Sequence, residues 1–323
     1  MKRLKRLLCI FFAVALSLNT GGCSGLGHSD SEVHIAIQPS AAFIPLYIAK
    51  EKGWIDEALK EYGVEVVWNK FDSGPPMTDS LESGDSDIGV IGNIPVVTVC
   101  VPGNDISVVA IAAQAPDSYA ILVPSDSDIK QASDLRDKRV AVIYGSTAHN
   151  LVEKYLNTDG LSLNDVNLVN ITVGDAEPVL RNKQADAVAI WEPSVTRLTA
   201  DGTVKILTSG SKCGLAGVNG IVARDKYAEK HPEVVTAILT QYKRAADILP
   251  TLDEDSLSTL AKDLSVTTDQ LKLIIPKFTY SVTITEEDLE ELNDTIRFLN
   301  DNKLLRKNYD IHESVNSSFY KGD

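Results

Sequence analysis

The stretch RVAVIYGSTAHN, residues 139–150, has the arrangement best suited to chemistry in this chain. Its apolar residues predict a buried strand, Gly145 a bend, and the residues from Ser146 onward the start of a helix. The free N–H groups and the positive dipole end of a helix bind anions. The stretch has no lysine and no second glycine at the spacing of a phosphate-binding loop. Ser146 and Thr147 are therefore candidate ligand groups, or else they only cap the helix.

A catalytic alternative comes from His149, which follows Ser146 by about one helical turn. The chain lacks the G-x-S-x-G turn that exposes a serine nucleophile, so we interpret His149 as a solvated helix residue. The five histidines show no metal-binding spacing. Beyond Cys23 only Cys100 and Cys213 remain, without a CxxC motif, and we expect two lone thiols rather than a disulfide. The sequence thus predicts a protein that is not an enzyme and holds no metal or cofactor.

Other polar residues follow predicted apolar strands. In α/β proteins, ligands bind beyond the carboxyl ends of the strands. The residues at these ends that we predict to bind a ligand are Gln38, Ser40, Ser73, Gly74, Asn93, Gln114, Ser146, Thr147, Trp191 and Glu192. Backbone carbonyls could instead satisfy Gln38 and Gln114, a left-handed turn could require Asn93, and Trp191 could belong to the core. The set predicts a small polar ligand that is held by hydroxyls, amides and backbone N–H groups.

Strands and helices alternate along most of the chain, and the last third is mainly helical. Apolar runs such as VHIAIQPS predict buried strands, and FIPLYIAKEKGWIDEALKEYG has apolar residues at helical spacing that are interrupted at Gly53. This alternation predicts an α/β fold with mostly parallel sheets and helices on both faces. A mature chain of roughly 300 residues is long for one core and indicates two lobes.

The N-terminal segment has the layout of a secretory signal peptide, which we assign to residues 1–22. A basic head precedes an apolar run that is too short to span a bilayer permanently. The stretch NTGGCSG resembles a bacterial lipobox, although Thr20 stands where leucine is usual, and it predicts a lipid on Cys23. Residues 23–32 would then be a flexible tether. The alternative is ordinary cleavage that removes Cys23 or leaves it free.

The formal net charge is −14. Such an acidic surface argues against binding to nucleic acid. It also means that an anionic ligand would have to be held by local dipoles, because the overall field of the protein repels it.

Several stretches, in this order and spacing, carry a family resemblance. They are AIQ, PLYIAKEKGWIDEALKEYGVEVVW, FDSGPPMTDSLESGDSDIGVIGNIPVV, APDSYAILVPSDSDIKQASDLRDKRVAVIYGSTAHNLVEKYL, GDAEPVLRNKQADAVAIWEP and ARDKYAEKHPEVV. The chain resembles the substrate-binding proteins of bacterial ABC importers, in the group for aliphatic sulfonates, taurine and nitrate. The likeness covers nearly the whole mature chain, and SGPP and DSYAILVPSDSDI resemble the sulfonate branch most.

The resemblance implies the two-lobed type II periplasmic binding fold, with the ligand in the cleft between the lobes. The implied boundaries are residues 33–118 and 219–323 for lobe 1 and residues 119–218 for lobe 2. The chain would pass between the lobes twice, near 118–120 and 217–220, and bending at these two crossings would let the lobes close on the ligand. Ser118, like Ser73, matches a position near the family's cleft, and Asn219 follows the second crossing. Both join the predicted ligand-binding residues, although Asn219 could be only a hinge residue.

The resemblance also implies the partners. We expect a monomer, tethered outside the cytoplasm, that binds a small organic anion such as an aliphatic sulfonate or taurine and docks on an ABC permease. Nitrate, bicarbonate, a pyrimidine or an aromatic acid remain alternative ligands, and presentation of the ligand to a sensor is an alternative output. A related branch of the fold makes the thiamine pyrimidine, but its cysteine-rich motif and iron-linked histidine are missing here.

Two features of the predicted site bear on the identity of the ligand. The predicted site has no arginine or lysine to clamp an anion. Glu192, in the stretch WEP, is a family feature that would suit a ligand with a cationic or hydrogen-donating end.

Overall fold

The computed structural model describes residue 29, residues 31–305 and residues 307–320. The predicted signal peptide, Cys23 and most of the tether lie outside the described residues. The strands are β1 (Glu32–Ile37), β2 (Glu65–Lys70), β3 (Ile88–Gly92), β4 (Ile106–Gln114), β5 (Tyr119–Pro124), β6 (Arg139–Val142), β7 (Asn167–Asn170), β8 (Ala187–Trp191), β9 (Val204–Ser209), β10 (Val218–Arg224) and β11 (Thr279–Tyr280). They divide between two sheets.

The helices alternate with these strands and then dominate the end of the chain. They are α1 (Ile44–Glu51), α2 (Trp54–Leu59), α3 (Gly74–Ser83), α4 (Asn93–Val99), α5 (Thr147–Asn157), α6 (Ala176–Arg181), α7 (Ser194–Thr199), α8 (Asp225–Lys230), α9 (Pro232–Ile248), α10 (Glu254–Asp263), α11 (Thr268–Ile274) and α12 (Glu286–Asp301). Gly53 separates α1 from α2 in the left-handed region, with φ 65°. Within the described ranges, no helix is long and apolar enough to cross a bilayer.

The two sheets are mixed, so the prediction of mostly parallel sheets is wrong. The six-stranded sheet has the order β11-β4-β10-β3-β1-β2, and the five-stranded sheet has the order β7-β6-β8-β5-β9. β1 pairs in parallel with β2 and β3, and β6 pairs in parallel with β7 and β8. The pairs made by β4, β5, β9, β10 and β11 are antiparallel. The antiparallel strands include all four that flank the crossings, where the chain passes from one sheet to the other instead of returning through a helix.

Each sheet has its own apolar core. Ile35, Ile91 and Val108 belong to the core around the six-stranded sheet, and Val140 and Ile190 belong to the core around the five-stranded sheet. α9 packs against α1 in the first core, and α5 packs against β5 and β8 in the second. Since separate cores define separate folding bodies, we call the first lobe 1 and the second lobe 2.

The two crossings between the lobes run side by side. The backbone N–H of Ala115 faces the carbonyls of Ala216 and Gly217, each at 3.2 Å. Gly217 has φ 66°, and a Cβ at this position would lie 2.6 Å from the carbonyl oxygen of Ala115. Only glycine therefore allows the crossings to touch, and this contact couples the two connections between the lobes.

Candidate ligand-binding cleft

Four helices begin where strands end at the interface of the lobes. In lobe 1, α3 follows β2 and α4 follows β3, while a 3-10 turn over Ala41–Phe43 leads from β1 into α1. In lobe 2, α5 follows β6. This arrangement results from the strand–turn–helix pattern in the sequence, since parallel strands place their carboxyl ends at one edge. The positive ends of helices from both lobes therefore face the same space.

The start of α5 has free hydrogen-bond donors. Ser146 is the N-cap residue, with φ −100° and ψ 163°, but its hydroxyl donates to the carbonyl of Ile143 at 2.7 Å. Among the described residues, the backbone N–H groups of Thr147 and Ala148 have no hydrogen-bond partner. The simple capping role considered for the two hydroxyls is thus not what the structure shows, and the N–H groups remain available for an anion.

A cavity of about 300 Å³ lies between these helix starts. We call it the central cavity, and the residues that line it are Gln38, Ser40, Gly74, Gly92, Pro95, Tyr119, Ser146, Thr147, Trp191 and Asn219. Both lobes contribute, and none of the ten residues is charged. The central cavity therefore offers hydroxyls, amides, aromatic rings and backbone dipoles to a ligand, but no formal charge.

The lobes are closed around the central cavity. Gly92 and Thr147 face each other so closely that a Cβ added to Gly92 would collide with the Oγ1 atom of Thr147. The hydroxyl of Tyr119 donates to Oδ1 of Asn219 at 3.3 Å, which joins lobe 2 to lobe 1. Burial raises the pKa of Tyr119, against the opposing effect of its hydrogen bonds with Thr147 and Asn219, so the phenol remains protonated at neutral pH.

Gln38 is a buried polar group with unmet hydrogen-bonding capacity. Its side chain is 8% exposed, and Oε1 has no partner among the residues that the structure describes. Leaving such a group unpaired costs about 1–3 kcal/mol. The amide carries an acceptor oxygen and an N–H₂ donor, so Gln38 can accept from or donate to a ligand.

The structure brings together seven of the twelve predicted ligand-binding residues around the central cavity. They are Gln38, Ser40, Gly74, Ser146, Thr147, Trp191 and Asn219. Ser73, Asn93, Gln114, Ser118 and Glu192 are not part of its lining. Ser73 precedes α3 as its N-cap residue without a side-chain capping bond to the described chain.

Three of the others are bound within the protein. The amide of Asn93 donates to Oγ1 of Thr295 at 2.9 Å, and the amide of Gln114 donates to Oδ1 of Asp288 at 2.6 Å. The hydroxyl of Ser118 donates to the carbonyl of Ala115 at 2.8 Å. Thr295 and Asp288 both lie on α12, which packs against α4. Thr295 and Asp288 are distant in sequence from Asn93 and Gln114, so the strand-end rule could not predict these two hydrogen bonds.

Glu192 is fully buried and paired. Its carboxylate accepts hydrogen bonds from the backbone N–H of Thr196 at 3.0 Å and from the hydroxyl of the same residue at 2.8 Å. It also forms an ion pair with Lys277, which comes from lobe 1. The backbone N–H of Glu192 donates to the carbonyl of Ser118 at 2.9 Å. The carboxylate is therefore occupied by protein groups and does not line the central cavity.

His149 differs from its prediction as a solvated residue, because it is 6% exposed. Its ring stacks on Tyr144 at a centroid distance of 5.3 Å and meets Phe298 of lobe 1 edge-on at 6.4 Å. Burial lowers the pKa of His149, and its Nε2 atom has no hydrogen-bond partner in the described chain. One residue further on, Asn150 is completely buried, and neither its side-chain nitrogen nor its oxygen has a partner in that same part of the chain.

Sequence reasoning missed three residues that shape the site. Tyr119 begins β5 beside Ser118, and Pro95 lies two residues after Asn93, so proximity to predicted strand ends could have identified both. Lys277 had no local signal, since it lies 85 positions from Glu192.

Wider depressions occur elsewhere on the surface. One of about 780 Å³ lies on lobe 2 between Pro124 and Arg181. The guanidinium of Arg181 is already paired with Glu177 and Asp201. Within the described residues, no group of three or more histidines, cysteines, aspartates or glutamates could hold a metal ion. The central cavity is therefore the site with convergent free donors.

Comparison with known proteins identifies the family and the fold. The family model described as NMT1/THI5 like matches residues 40–250. A putative aliphatic sulfonates-binding protein of Bacillus subtilis is 29% identical over 317 residues, which are 98% of this chain and 94% of the relative. The taurine-binding periplasmic protein of Escherichia coli is 34% identical over 181 residues, 55% of each chain.

A solved structure matches over most of both chains. The alkanesulfonate-binding protein SsuA from Xanthomonas axonopodis pv. citri, bound to MOPS, superposes with a TM-score of 0.81 at 26% identity. The match covers 88% of this chain and 98% of the other. It confirms the two-lobed periplasmic binding fold that the sequence resemblance implied.

Proposed function

The chain belongs to the NMT1/THI5-like family, and on this basis we propose that it is an extracytoplasmic binding protein that captures a small organosulfonate-like anion for an ABC importer. The observation that carries the proposal is the uncharged central cavity, where helix starts from both lobes converge and α5 has free backbone N–H groups. Such a site stabilises an oxyanion through fixed dipoles rather than through a cationic side chain.

The ligand's charged end would lie at the start of α5. The N–H groups of Thr147 and Ala148 can donate to its oxygens, and the hydroxyl of Thr147 can add a third donor. From lobe 1, the amide N–H₂ group of Gln38 can donate as well. Hydrogen bonds to a charged acceptor are the stronger kind, each contributing about 1.5–3 kcal/mol.

The uncharged end of the ligand would contact the aromatic and apolar part of the lining. Trp191, Tyr119 and Pro95 supply this surface. In the closed form the lining residues leave only a small space between them. The site therefore favours a short organic anion over a large one.

Lobe closure would couple binding to delivery. A ligand that contacts both lobes favours the closed form, because only that form makes both sets of contacts. The touching crossings at Ala115 and Gly217 would form the hinge. The closed protein would then dock on the permease, while a lipid on Cys23 keeps it at the membrane.

A ligand screen tests the proposal. Purified mature protein is melted in the presence of propane-1-sulfonate, taurine, nitrate, bicarbonate, a pyrimidine and benzoate. A ligand at a hundred times its dissociation constant stabilises the folded state by about 2.7 kcal/mol, so a specific binder produces a clear rise in Tm. We expect at least one sulfonate to bind and the Thr147→Val variant to respond less. Stabilisation by the pyrimidine alone, with no response to any sulfonate, would overturn the proposal.

A further inference from the structure

Closure of the lobes buries a carboxylate for which the described part of the chain supplies no cation. We propose that this residue, Glu153, opposes closure, and that it thereby lowers the affinity of the central cavity for its ligand and speeds the release of that ligand. The inference rests on the proposed function, because it concerns how fast a captured anion leaves the same site.

Glu153 lies on the face of α5 that points away from the core of its own lobe. The residues of α5 that belong to the core of lobe 2 are Ala148, Leu151, Val152, Tyr155 and Leu156. His149, Asn150 and Glu153 lie on the opposite face, because residues three and four positions apart share one face of a helix. We call these three residues the polar face of α5.

Lobe 1 covers the polar face of α5. Phe298, on α12, meets the ring of His149 edge-on, and Asn302, the C-cap residue of α12, contacts Glu153. α4 of lobe 1 also packs against α5. Glu153 is only 9% exposed, and Asn150 is completely buried. Since these side chains point away from the core of lobe 2, it is the closure of lobe 1 over α5 that removes water from them.

Few hydrogen bonds replace this water. The side-chain nitrogen of Asn302 donates to both carboxylate oxygens of Glu153, at 2.9 and 2.8 Å, but it also donates to the carbonyl of Phe298 at 2.9 Å. This shared, neutral amide is the one hydrogen-bond partner that the carboxylate has among the described residues, and none of them forms an ion pair with it. A buried carboxylate without a cation is destabilising, because its lost hydration is not fully replaced.

A second negative charge adds to this imbalance. Asp301, an exposed residue of lobe 1 beside Asn302, repels the carboxylate of Glu153 in the closed form. Burial raises the pKa of Glu153 most, the hydrogen bond from Asn302 opposes part of that rise, and the charge of Asp301 adds to it. The ionised carboxylate is therefore less stable in the closed protein than in water. Because opening returns it to water, the ionised carboxylate shifts the equilibrium toward the open form.

Glu153→Gln tests the inference, because it keeps the shape of the side chain and an acceptor for Asn302 but removes the charge. Stopped-flow measurements with propane-1-sulfonate at pH 7.5 give the association and dissociation rate constants, and calorimetry gives the dissociation constant. We expect the dissociation rate constant to fall at least about threefold, and the dissociation constant with it, because the ligand leaves only after the lobes open.

Glu57→Gln is the matched control for charge. Glu57 is exposed on α2, so this variant removes the same charge without changing what closure buries. The loss of one negative charge from an acidic protein can speed the encounter with an anion, and that effect appears in the association rate constant. We expect the dissociation rate constant of Glu57→Gln to equal that of the wild type.

Asn302→Ala changes the same contact in the opposite direction. It leaves the carboxylate of Glu153 without its donor, so the dissociation rate constant should rise at least about threefold in the wild-type background and much less in the Glu153→Gln background. This coupling separates the contact with Glu153 from the other bond of Asn302, to the carbonyl of Phe298. It also keeps the test decisive if Glu153→Gln does not fold.

The outcomes distinguish the inference from the proposed function. Binding of the sulfonate by wild type, with a dissociation rate constant that stays the same or rises in Glu153→Gln, would overturn the inference and leave the proposed function intact. An equal effect of Asn302→Ala in both backgrounds would also overturn the inference. If no sulfonate binds to folded wild-type protein, the proposed function fails and the inference fails with it.

Discussion

Thr147→Val is the most direct perturbation of the anion site at the start of α5. The substitution replaces a hydroxyl with a methyl group of similar size at a residue that is 4% exposed. The backbone N–H groups and the positive end of the helix remain in place. Any loss of affinity therefore reports the hydroxyl itself, not the dipole.

The expected magnitude follows from the hydroxyl's present partners. A hydrogen bond to a charged group contributes about 1.5–3 kcal/mol, but here the hydroxyl already interacts with Tyr119. Ligand binding would exchange one partner for another, so the lower end of that range applies. Since 1.4 kcal/mol is tenfold in affinity, we expect about tenfold weaker binding. Tyr119 keeps its bond to Asn219, so the unliganded protein should fold normally.

Ser146→Ala is the matched comparison. The hydroxyl proton of Ser146 already goes to the carbonyl of Ile143 at 2.7 Å, so this side chain is not free to donate to an anion. We expect its removal to change the dissociation constant less than about threefold, well under the tenfold step of 1.4 kcal/mol. Calorimetry with propane-1-sulfonate measures both variants beside Thr147→Ser, which retains a donor. The reasoning is refuted if Thr147→Val binds as wild type does, or if Ser146→Ala is the more damaging change.

Three other predictions concern closure, pH and anchoring. Gly92→Ala should weaken sulfonate binding at least tenfold in calorimetry, because its Cβ would collide with Thr147 in the closed form, and unchanged affinity would contradict the closed geometry. Burial between the lobes lowers the pKa of His149, so the stability that this residue gives the closed form is fully present above its ordinary pKa of about 6.5 and is lost as the pH falls below that value. The affinity for propane-1-sulfonate, measured from pH 7.5 to 5, should therefore fall in the wild type and change less in His149→Gln. Cys23→Ala should move the protein from the detergent phase to the aqueous phase or leave it unprocessed, whereas a wild-type protein without lipid on its first mature residue would disprove anchoring.

Glu153 acts in the opposite direction in the pH experiment. Burial raises its pKa, so the closed form gains from its protonation as pH falls through the region above 4.5. Its contribution would partly offset that of His149 near pH 5. The slope between pH 7 and 6 therefore reports His149 most cleanly, since the sulfonate stays ionised throughout.

The elements of this fold were predictable from local sequence because their signals are local. Apolar residues in short runs indicate buried strands, and Gly53 interrupts an apolar helical pattern where the chain turns left-handed. The rule that ligands bind beyond strand ends then identified Gln38, Ser146 and Trp191, which line one cavity in the structure. These residues follow strands with little chain between, so few other placements were open to them.

Tertiary structure decided which polar residues remain free. Asn93 and Gln114 end predicted strands just as Gln38 does, yet Thr295 and Asp288 of α12 bind them across separations of 202 and 174 residues. Phe298, on the same helix, covers His149. Most buried polar groups find a partner, but which distant element supplies that partner depends on how the whole chain packs. The sequence alone therefore determined where polar groups gather, and only the packing of α12 and of the turn at Lys277 decided which of them still face a ligand.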